Sequence, residues 1–386
     1  MPKNIVVCCD GTANQFSEDR TNVVKLFYTL VHGKERQVAF YHPGVGTMEA
    51  VGAVTSWAKW VTKILGLAFG YGLERDIGDA YIFIMKNFEP GDKVYLFGFS
   101  RGAYTARAVA SLLHMYGLIP KDNEPLVPYA IRLLTAIRKL DKRSDNNEAS
   151  PRQDESSRDP KVAAIFKLAE DFKKTFSHRE CTPHFVGVWD TVSSVGWIEN
   201  PLRLPYSANN PDIAIGRHAI SIDEKRAFFR TNLWRAPNPP GNPPEPVGPV
   251  DVKQVWFAGV HCDVGGGYAE SESGLAKIPL QWMLREAEAA GLLVDPARHD
   301  EVLGLGGSDD YVKPDPNGMI HESLEGAWWI AEIIPKRHWD YATKAWGRRM
   351  NLARRRTIPR GALIHRSVYQ RTGYKPELPD GATPVD

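Results

Sequence analysis

The stretch "KVYLFGFSRGAYTAR" (93–107) contains Gly98-Phe99-Ser100-Arg101-Gly102, which fits G-x-S-x-G. A serine at the centre of that pattern can serve as a nucleophile when a strand feeds it and a helix leaves it. The glycines remove Cβ atoms where the strand and helix would crowd, which lifts Ser100 above the strand end. The helix N-terminus behind it favours negative charge. The pentapeptide alone occurs by chance in many proteins, where it marks only a tight turn. Here an apolar run precedes it and "AYTARAVASLLHMYG" follows, and that context favours the nucleophile.

A serine nucleophile needs a base, and the base an orienting acid, in the chain order Ser…Asp/Glu…His for a sheet-borne elbow. Two aspartates end strand-like runs after Ser100: Asp190 in "FVGVWDTVSSVG" and Asp263 in "VWFAGVHCDVGGGY". They finish the next strand and the one after it, and the later position favours Asp263 as the acid. Glycines 265–267 make a bend that could expose its carboxylate. Asp190 then reads as an Asx turn or helix cap, in a supporting role. For the base, His321 in "NGMIHESLEGAWW" precedes a helix, and His365 in "GALIHRSVYQR" has a similar setting. His261, two residues from Asp263, reads as support for its loop.

An oxyanion hole needs two backbone donors aimed at the developing charge. One is expected from the N–H of Arg101. The other is expected from the strand end "VVCCDGTANQ", where Gly11 and Thr12 follow Asp10, with Asp10 holding the loop in shape. The same strand suggests a rival, because D-x-D-G-T marks aspartate-nucleophile phosphatases. Cys8 stands where the attacking carboxylate would be, which removes that chemistry. Asp10, Asp190, His261 and Asp263 could converge on a divalent ion, but nothing fixes ligand spacing, and no metal or cofactor is expected.

The elements that must position these residues are short, nearly continuous apolar runs: "NIVVCC" (4–9), "QVAFYH" (37–42), "KVYLFGF" (93–99), "HFVGVW" (184–189) and "KQVWFAGV" (253–260). Such runs suit strands buried on both faces of a parallel sheet. Helical periodicity covers 72–88, 103–117 and 275–290. The alternation predicts an α/β fold, a mostly parallel central sheet with helices on both faces.

Two segments interrupt the rhythm. Residues 121–180 hold "PYAIRLLTAIRKL" and then a charged, Ser/Asn-rich tract, which reads as a helical and flexible insertion. Residues 236–249, "APNPPGNPPEPVGP", read as an extended surface loop. Strand-like runs continue on both sides, so residues 1–386 are expected to form one domain with insertions.

Composition narrows the class. At 386 residues, 43% hydrophobic and 24% charged, the chain has the make-up of an ordinary globular protein. A net charge of +2 implies no nucleic-acid partner. Cys8, Cys9, Cys181 and Cys262 form no C-x-x-C pair and read as buried thiols in a reducing compartment. The apolar run in "MPKNIVVCCDGT" is too short for a signal peptide. The stretch 51–70 carries Lys59 and Lys63 near its middle, against a spanning helix. A cytoplasmic protein is expected, although signal-independent secretion would leave no mark. Trp57, Trp60 and the apolar 51–69 stretch could cover an acyl pocket or touch a membrane surface, or simply pack on the sheet.

In order, "VVCCDGTANQ", "TNVVKL", "YHPGVGT", "YLFGFSRGAYTAR", "FVGVWDTVSSVG" and "VWFAGVHCDVGGGY" resemble the α/β-hydrolases long catalogued as a domain of unknown function. The best-understood members of that family are type VI secretion phospholipase effectors. The resemblance spans roughly residues 1–335 and implies an α/β-hydrolase fold, a Ser-Asp-His triad and lipase or esterase activity. Ser100 and Asp263 match family positions, and both "IHES" and "IHRSV" look like family motifs for the histidine. The expectation is a serine hydrolase of lipid or phospholipid acyl esters working through an acyl-enzyme. A short-chain carboxylesterase and a non-catalytic binding scaffold are the alternatives, and a fluorophosphonate probe separates the scaffold from both enzymes.

Overall fold

A computed structural model describes residues 2–11, 20–33, 35–44, 72–141, 160–177, 180–192, 196–197, 200–201, 204–227, 229–234, 249–307, 310–326, 328–333, 335–340 and 345–386. Eight strands form its main sheet. They are β1 (Asn4–Cys9), β2 (Gln37–His42), β3 (Lys93–Phe99), β4 (Pro183–Trp189), β5 (Ile215–Ser221), β6 (Asp251–Phe257), β7 (Leu363–His365) and β8 (Thr383–Val385). Their order is β8-β7-β6-β5-β4-β3-β1-β2, and every adjacent pair is parallel. All eight C-terminal ends therefore lie along one edge. The order reverses between β1 and β3, where an open parallel sheet leaves a crevice for ligands.

The helices are α1 (Asn22–Thr29), α2 (Leu73–Asn87), α3 (Arg101–Tyr116), α4 (Val127–Asp141), α5 (Pro160–Phe176), α6 (His261–Gly265), α7 (Gly274–Ala289), α8 (Pro296–Val302), α9 (Trp328–Ile333) and α10 (Ser367–Gln370). Strand side chains alternate between two cores, as a period of two demands. Ile5, Val7, Val94 and Leu96 pack under α2 to α5, while Val6, Cys8, Tyr95 and Phe97 pack under α1, α7 and α8. Both faces are thus covered, which explains why the central strands read as continuous apolar runs. Among the described residues no helix is long and apolar enough to cross a membrane.

The apolar pattern misses three strands, the short edge strands β7 and β8 and, inside the sheet, β5. In β5, "IGRHAIS" carries Arg217 and His218 in its middle, and both find partners inside the protein. Arg217 reaches Glu286 at 2.5 Å and Asp251 at 2.7 Å, and His218 Nε2 accepts the Thr191 N–H at 3.1 Å. This strand changes the count from the elbow. Asp190 ends the first strand after β3, but Asp263 follows the third rather than the second, because β5 intervenes. The run expected to 260 also stops at Phe257, where the chain turns toward α6.

Within 121–180, α4 and α5 are helical and flank residues 142–159, which lie outside the described residues. The proline-rich 236–249 segment lies outside them too, except for Pro249. The 51–70 stretch with Trp57 and Trp60 likewise falls outside them.

Candidate active site

β3 delivers Ser100 to the C-terminal edge of the sheet, and α3 starts at the next residue. Ser100 has φ 57° and ψ −118°, a backbone conformation that costs a residue with a Cβ about 1–3 kcal/mol. The turn is that tight because α3 doubles back against the sheet. A Cβ on Gly98 would overlap the Gly102 carbonyl, and a Cβ on Gly102 would overlap the carbonyls of Cys9 and Asp10. Neither position can hold a larger residue without moving backbone. The Ser100 N–H donates to Trp189 O at 3.1 Å, so the serine backbone is tied to the end of β4.

The residue after Trp189 is Asp190, itself at φ 40° and fully buried. Its Oδ2 lies 2.5 Å from Nδ1 of His261, the first residue of α6. The helix runs back from β6 along the sheet edge. His261 rests on the ring of Phe99, the residue before the serine, with ring centroids 4.6 Å apart. Further along, Gly265 lies so close to Phe99 that a Cβ would overlap the ring, and Gly266 bridges to Thr21 beside β1. Phe229 closes the other side of the imidazole at 4.6 Å. Nδ1 is therefore engaged, and among the described residues Nε2 of His261 carries no hydrogen bond.

Charge surrounds this pair. Arg356 forks onto Asp190, Nη1 to Oδ1 at 2.5 Å and Nη2 to Oδ2 at 3.0 Å. Ser221 adds its N–H and hydroxyl to Oδ1 at 3.0 and 3.1 Å. Burial alone would raise the Asp190 carboxyl, but the Arg356 charge and the His261 contact outweigh it and hold it well below the usual carboxylate range. Burial pushes the His261 imidazole below its ordinary value despite the hydrogen bond to Asp190. Glu224 accepts the His261 N–H at 3.2 Å, and its own pKa stays at about 2: burial opposes ionisation, but the Arg226 fork prevails.

A second histidine–carboxylate pair sits nearby in sequence. Asp263 Oδ1 lies 2.6 Å from Nδ1 of His321, and its Oδ2 accepts the N–H groups of Val260 and His321 at 2.9 and 3.2 Å. Burial raises the Asp263 carboxyl against these bonds. Nε2 of His321 is not open: the Glu272 carboxylate stands 3.3 Å away, and Tyr268 stacks on the ring at 3.6 Å. Glu270, in the same loop, bridges two buried lysines, Lys25 of α1 and Lys277 of α7, each at 2.6 Å. Burial and the neighbouring Lys25 charge lower Lys277 to about 7.

His365 is elsewhere. It ends β7, four strand steps from β3, or roughly 19 Å at about 4.8 Å per step. Its Nδ1 contacts Ser367 Oγ at 2.8 Å, its ring stacks on Phe257, and burial lowers it to about 4. At that separation it does not reach Ser100.

On the β1 side, the Asp10 carboxylate binds the Gly11 N–H at 2.7 Å, the Thr21 hydroxyl at 2.7 Å and the Tyr41 hydroxyl at 2.8 Å. Gly11 lies against Ser100, where an added Cβ would sit 3.4 Å from the serine Cβ, but its N–H already serves Asp10. Thr12 lies outside the described residues. Arg101 opens α3, so its N–H is one of the four that a helix cannot bond internally. Among the described residues no group of three or more His, Cys, Asp or Glu could hold a metal ion. Asp190 and His261 pair with each other, Asp263 turns to His321, and Asp10 ties its own loop.

Arg356 and the Glu224–Arg226 fork are the site residues that sequence reading did not find. Arg356 lies in "LARRRTIP", where a run of arginines reads as a solvated face and carries no signal for an inward one.

A doubly covered parallel sheet, with a strained serine ending its third strand and a histidine–carboxylate pair at the same edge, defines a protein of the α/β-hydrolase class. The family model described as T6SS, phospholipase effector Tle1-like, catalytic domain matches residues 3–286, and the chain belongs to that family. It is 36% identical over 236 residues to the uncharacterized protein YEL023C of Saccharomyces cerevisiae, covering 59% of this chain and 32% of that protein. The chain thus spans about a third of the length of that curated relative. Among solved structures it is similar to an uncharacterized protein from Pseudomonas aeruginosa, with TM-score 0.44, 19% identity, and 81% of this chain and 49% of that one covered. A second is the Tle1 effector bound to the VgrG spike of the type VI secretion system, with TM-score 0.33, 19% identity and coverages of 71% and 52%.

Proposed function

We propose that the chain is a serine hydrolase of carboxylic esters, with lipid acyl esters as its substrate class. Ser100 attacks the acyl carbonyl while Nε2 of His261 takes its proton, and Asp190 holds the imidazole in the tautomer that leaves Nε2 open. The oxyanion faces the N–H of Arg101 and a second donor from the loop after β1. Collapse breaks the ester bond, His261 returns the proton to the departing alcohol, and an acyl-enzyme remains. Water activated by the same imidazole then releases the acid. The scheme calls on no cofactor.

One observation carries the reading: the Asp190–His261 pair sits on Phe99, one residue from the strained serine, with Nε2 unengaged. The lipid class rests on the family, whose description is that of phospholipase effectors. Contact with a membrane surface through 51–69, and synthesis in a reducing cytoplasm with four free cysteines, belong to the same proposal.

A second reading makes His321 the base and Asp263 its acid, because that pair is also short at 2.6 Å. The Glu272 carboxylate on Nε2 weighs against it, since the proton from serine must arrive at that atom.

The test is fluorophosphonate labelling and ester hydrolysis by wild type, Ser100→Ala, His261→Ala and His321→Ala. The first reading expects Ser100→Ala to take no label, His261→Ala to lose turnover, and His321→Ala to keep it. Labelling of the wild type at no site would overturn both readings. Loss of turnover in His321→Ala with retention in His261→Ala would install the second.

A further inference from the structure

We infer that Arg356 is a positioning residue of this site, fixing the Asp190 carboxylate against His261 and setting how readily His261 accepts a proton. The inference rests on the Ser100–His261–Asp190 reading above. Arg356 lies beyond residues 3–286, so the part of the chain outside the family match completes the site.

The geometry is that of a fork on a carboxylate, the strongest and most directional ion pair available to a side chain. Nη1 and Nη2 each take one Asp190 oxygen, and Nη1 also contacts Ser221 Oγ at 2.7 Å. Nε and Nη2 donate to Phe229 O at 2.9 and 2.5 Å, which anchors the guanidinium to the loop carrying the ring over His261. The Arg356 side chain is 8% exposed and that of Asp190 is 1% exposed, so water screens the pair little. With Oδ1 held by Ser221 and Arg356, Oδ2 is the oxygen turned to His261.

The electrostatic consequence follows from the same contacts. When His261 takes the serine proton, its new charge is stabilised by a carboxylate that a guanidinium already neutralises. Among the described residues, the other charged groups acting on His261 are Glu224 and Arg226, which offset each other in their own fork, while Cys262 and Asp263 follow it on its own helix. Arg356 therefore makes His261 a weaker base than an unpaired aspartate would. The imidazole stays neutral, and able to accept a proton, at lower pH.

The experiment uses the full chain as wild type, Arg356→Met, Arg356→Lys and the exposed control Arg354→Gln. It reads kcat/KM against pH on a p-nitrophenyl ester and the His261 imidazole titration by NMR, assigned with His261→Asn. Arg356→Met is expected to raise the His261 midpoint by about one pH unit and to lower kcat about tenfold or more, as the oriented oxygen is released. Arg356→Lys keeps the charge, so its midpoint stays near wild type while kcat still falls. Arg354→Gln changes neither. A midpoint that is unmoved or lower in Arg356→Met, with only a loss of melting temperature, overturns the inference. If Arg356→Met does not fold, unchanged kcat in Arg356→Lys overturns it. If no variant and no wild type hydrolyses an ester, the proposed function fails, and the NMR midpoints still decide on Arg356 alone.

Discussion

Nδ1 of His261 and Oδ2 of Asp190 meet at 2.5 Å across 71 residues of sequence. The contact exists because α6 leaves β6 and returns along the sheet edge toward β3, over an extra strand that polar residues hide. Asp190 itself sits one residue past Trp189, whose carbonyl accepts the Ser100 N–H. Asp190 and Ser100 are thus neighbours across a single strand spacing.

The two acids are distinguishable by substitution. Asp190→Asn is expected to lower kcat by about three to four orders of magnitude, through loss of the correct tautomer and of imidazolium stabilisation. Asp263→Asn is expected to stay within about tenfold of wild type. Steady-state kinetics on one chromogenic ester decides between them, and the reverse order of effects contradicts the assignment.

The elbow glycines are expected to be intolerant. Gly102→Ala drives a methyl into the Cys9 and Asp10 carbonyls, and Gly98→Ala into the Gly102 carbonyl. Each should lose about 3 kcal/mol or more of stability, because backbone must move on both sides of the turn. Urea denaturation followed by circular dichroism measures this. A loss under about 1 kcal/mol would mean the turn is looser than these contacts require.

Acid is expected to destabilise the fold in two stages. The His261 imidazole is lowered in the folded state, so the unfolded chain binds its proton first as pH drops below about 6.5. The Asp190 carboxyl is also lowered, so its contribution is present above about pH 4 and is lost as pH falls further. Melting temperature should therefore decline from about pH 7 downward. The buried His218 and His365 are lowered in the same sense, so His261→Gln should reduce the first part of the decline without abolishing it. A curve that is flat between neutrality and the carboxylate range would contradict this.

Alkali acts on the other buried cluster with the opposite sense. Lys277 is lowered to about 7, so above that value the folded chain has shed a proton that the unfolded chain keeps up to about 10.4. Stability is then expected to rise between those limits from this group, and Lys277→Met should abolish the rise. Glu270→Gln should be destabilising by about 3–5 kcal/mol, since it leaves Lys25 and Lys277 facing each other without their shared anion. Thermal melts of the three proteins across pH 7 to 10 provide the check.

The parts of the fold readable from sequence are those where burial is uniform. β1 to β4, α2, α3 and α7 are apolar or periodic throughout, because each faces a core on at least one side. β5 escaped because Arg217 and His218 pair with Glu286, Asp251 and Thr191, partners far away in sequence. That omission shortened the count from the elbow to Asp263 by one strand, so Asp263 read as closer to Ser100 across the sheet than it is. Ser100 was legible because its constraint is local, with both glycines within two residues. The pairing of Asp190 with His261 and the inward turn of Arg356 are long-range, and residue spacing carries no trace of either.

The separation between Asp190 and Arg356 also sets an order of events during synthesis. The two residues are 166 positions apart, and at about 5–20 residues per second the later one is made on the order of ten seconds or more after the first. Over that interval β1, β3 and β4 are available to pair, while the carboxylate still lacks its counter-ion. A nascent chain of this protein therefore carries Ser100 and Asp190 long before it carries the guanidinium that holds the Asp190 carboxylate.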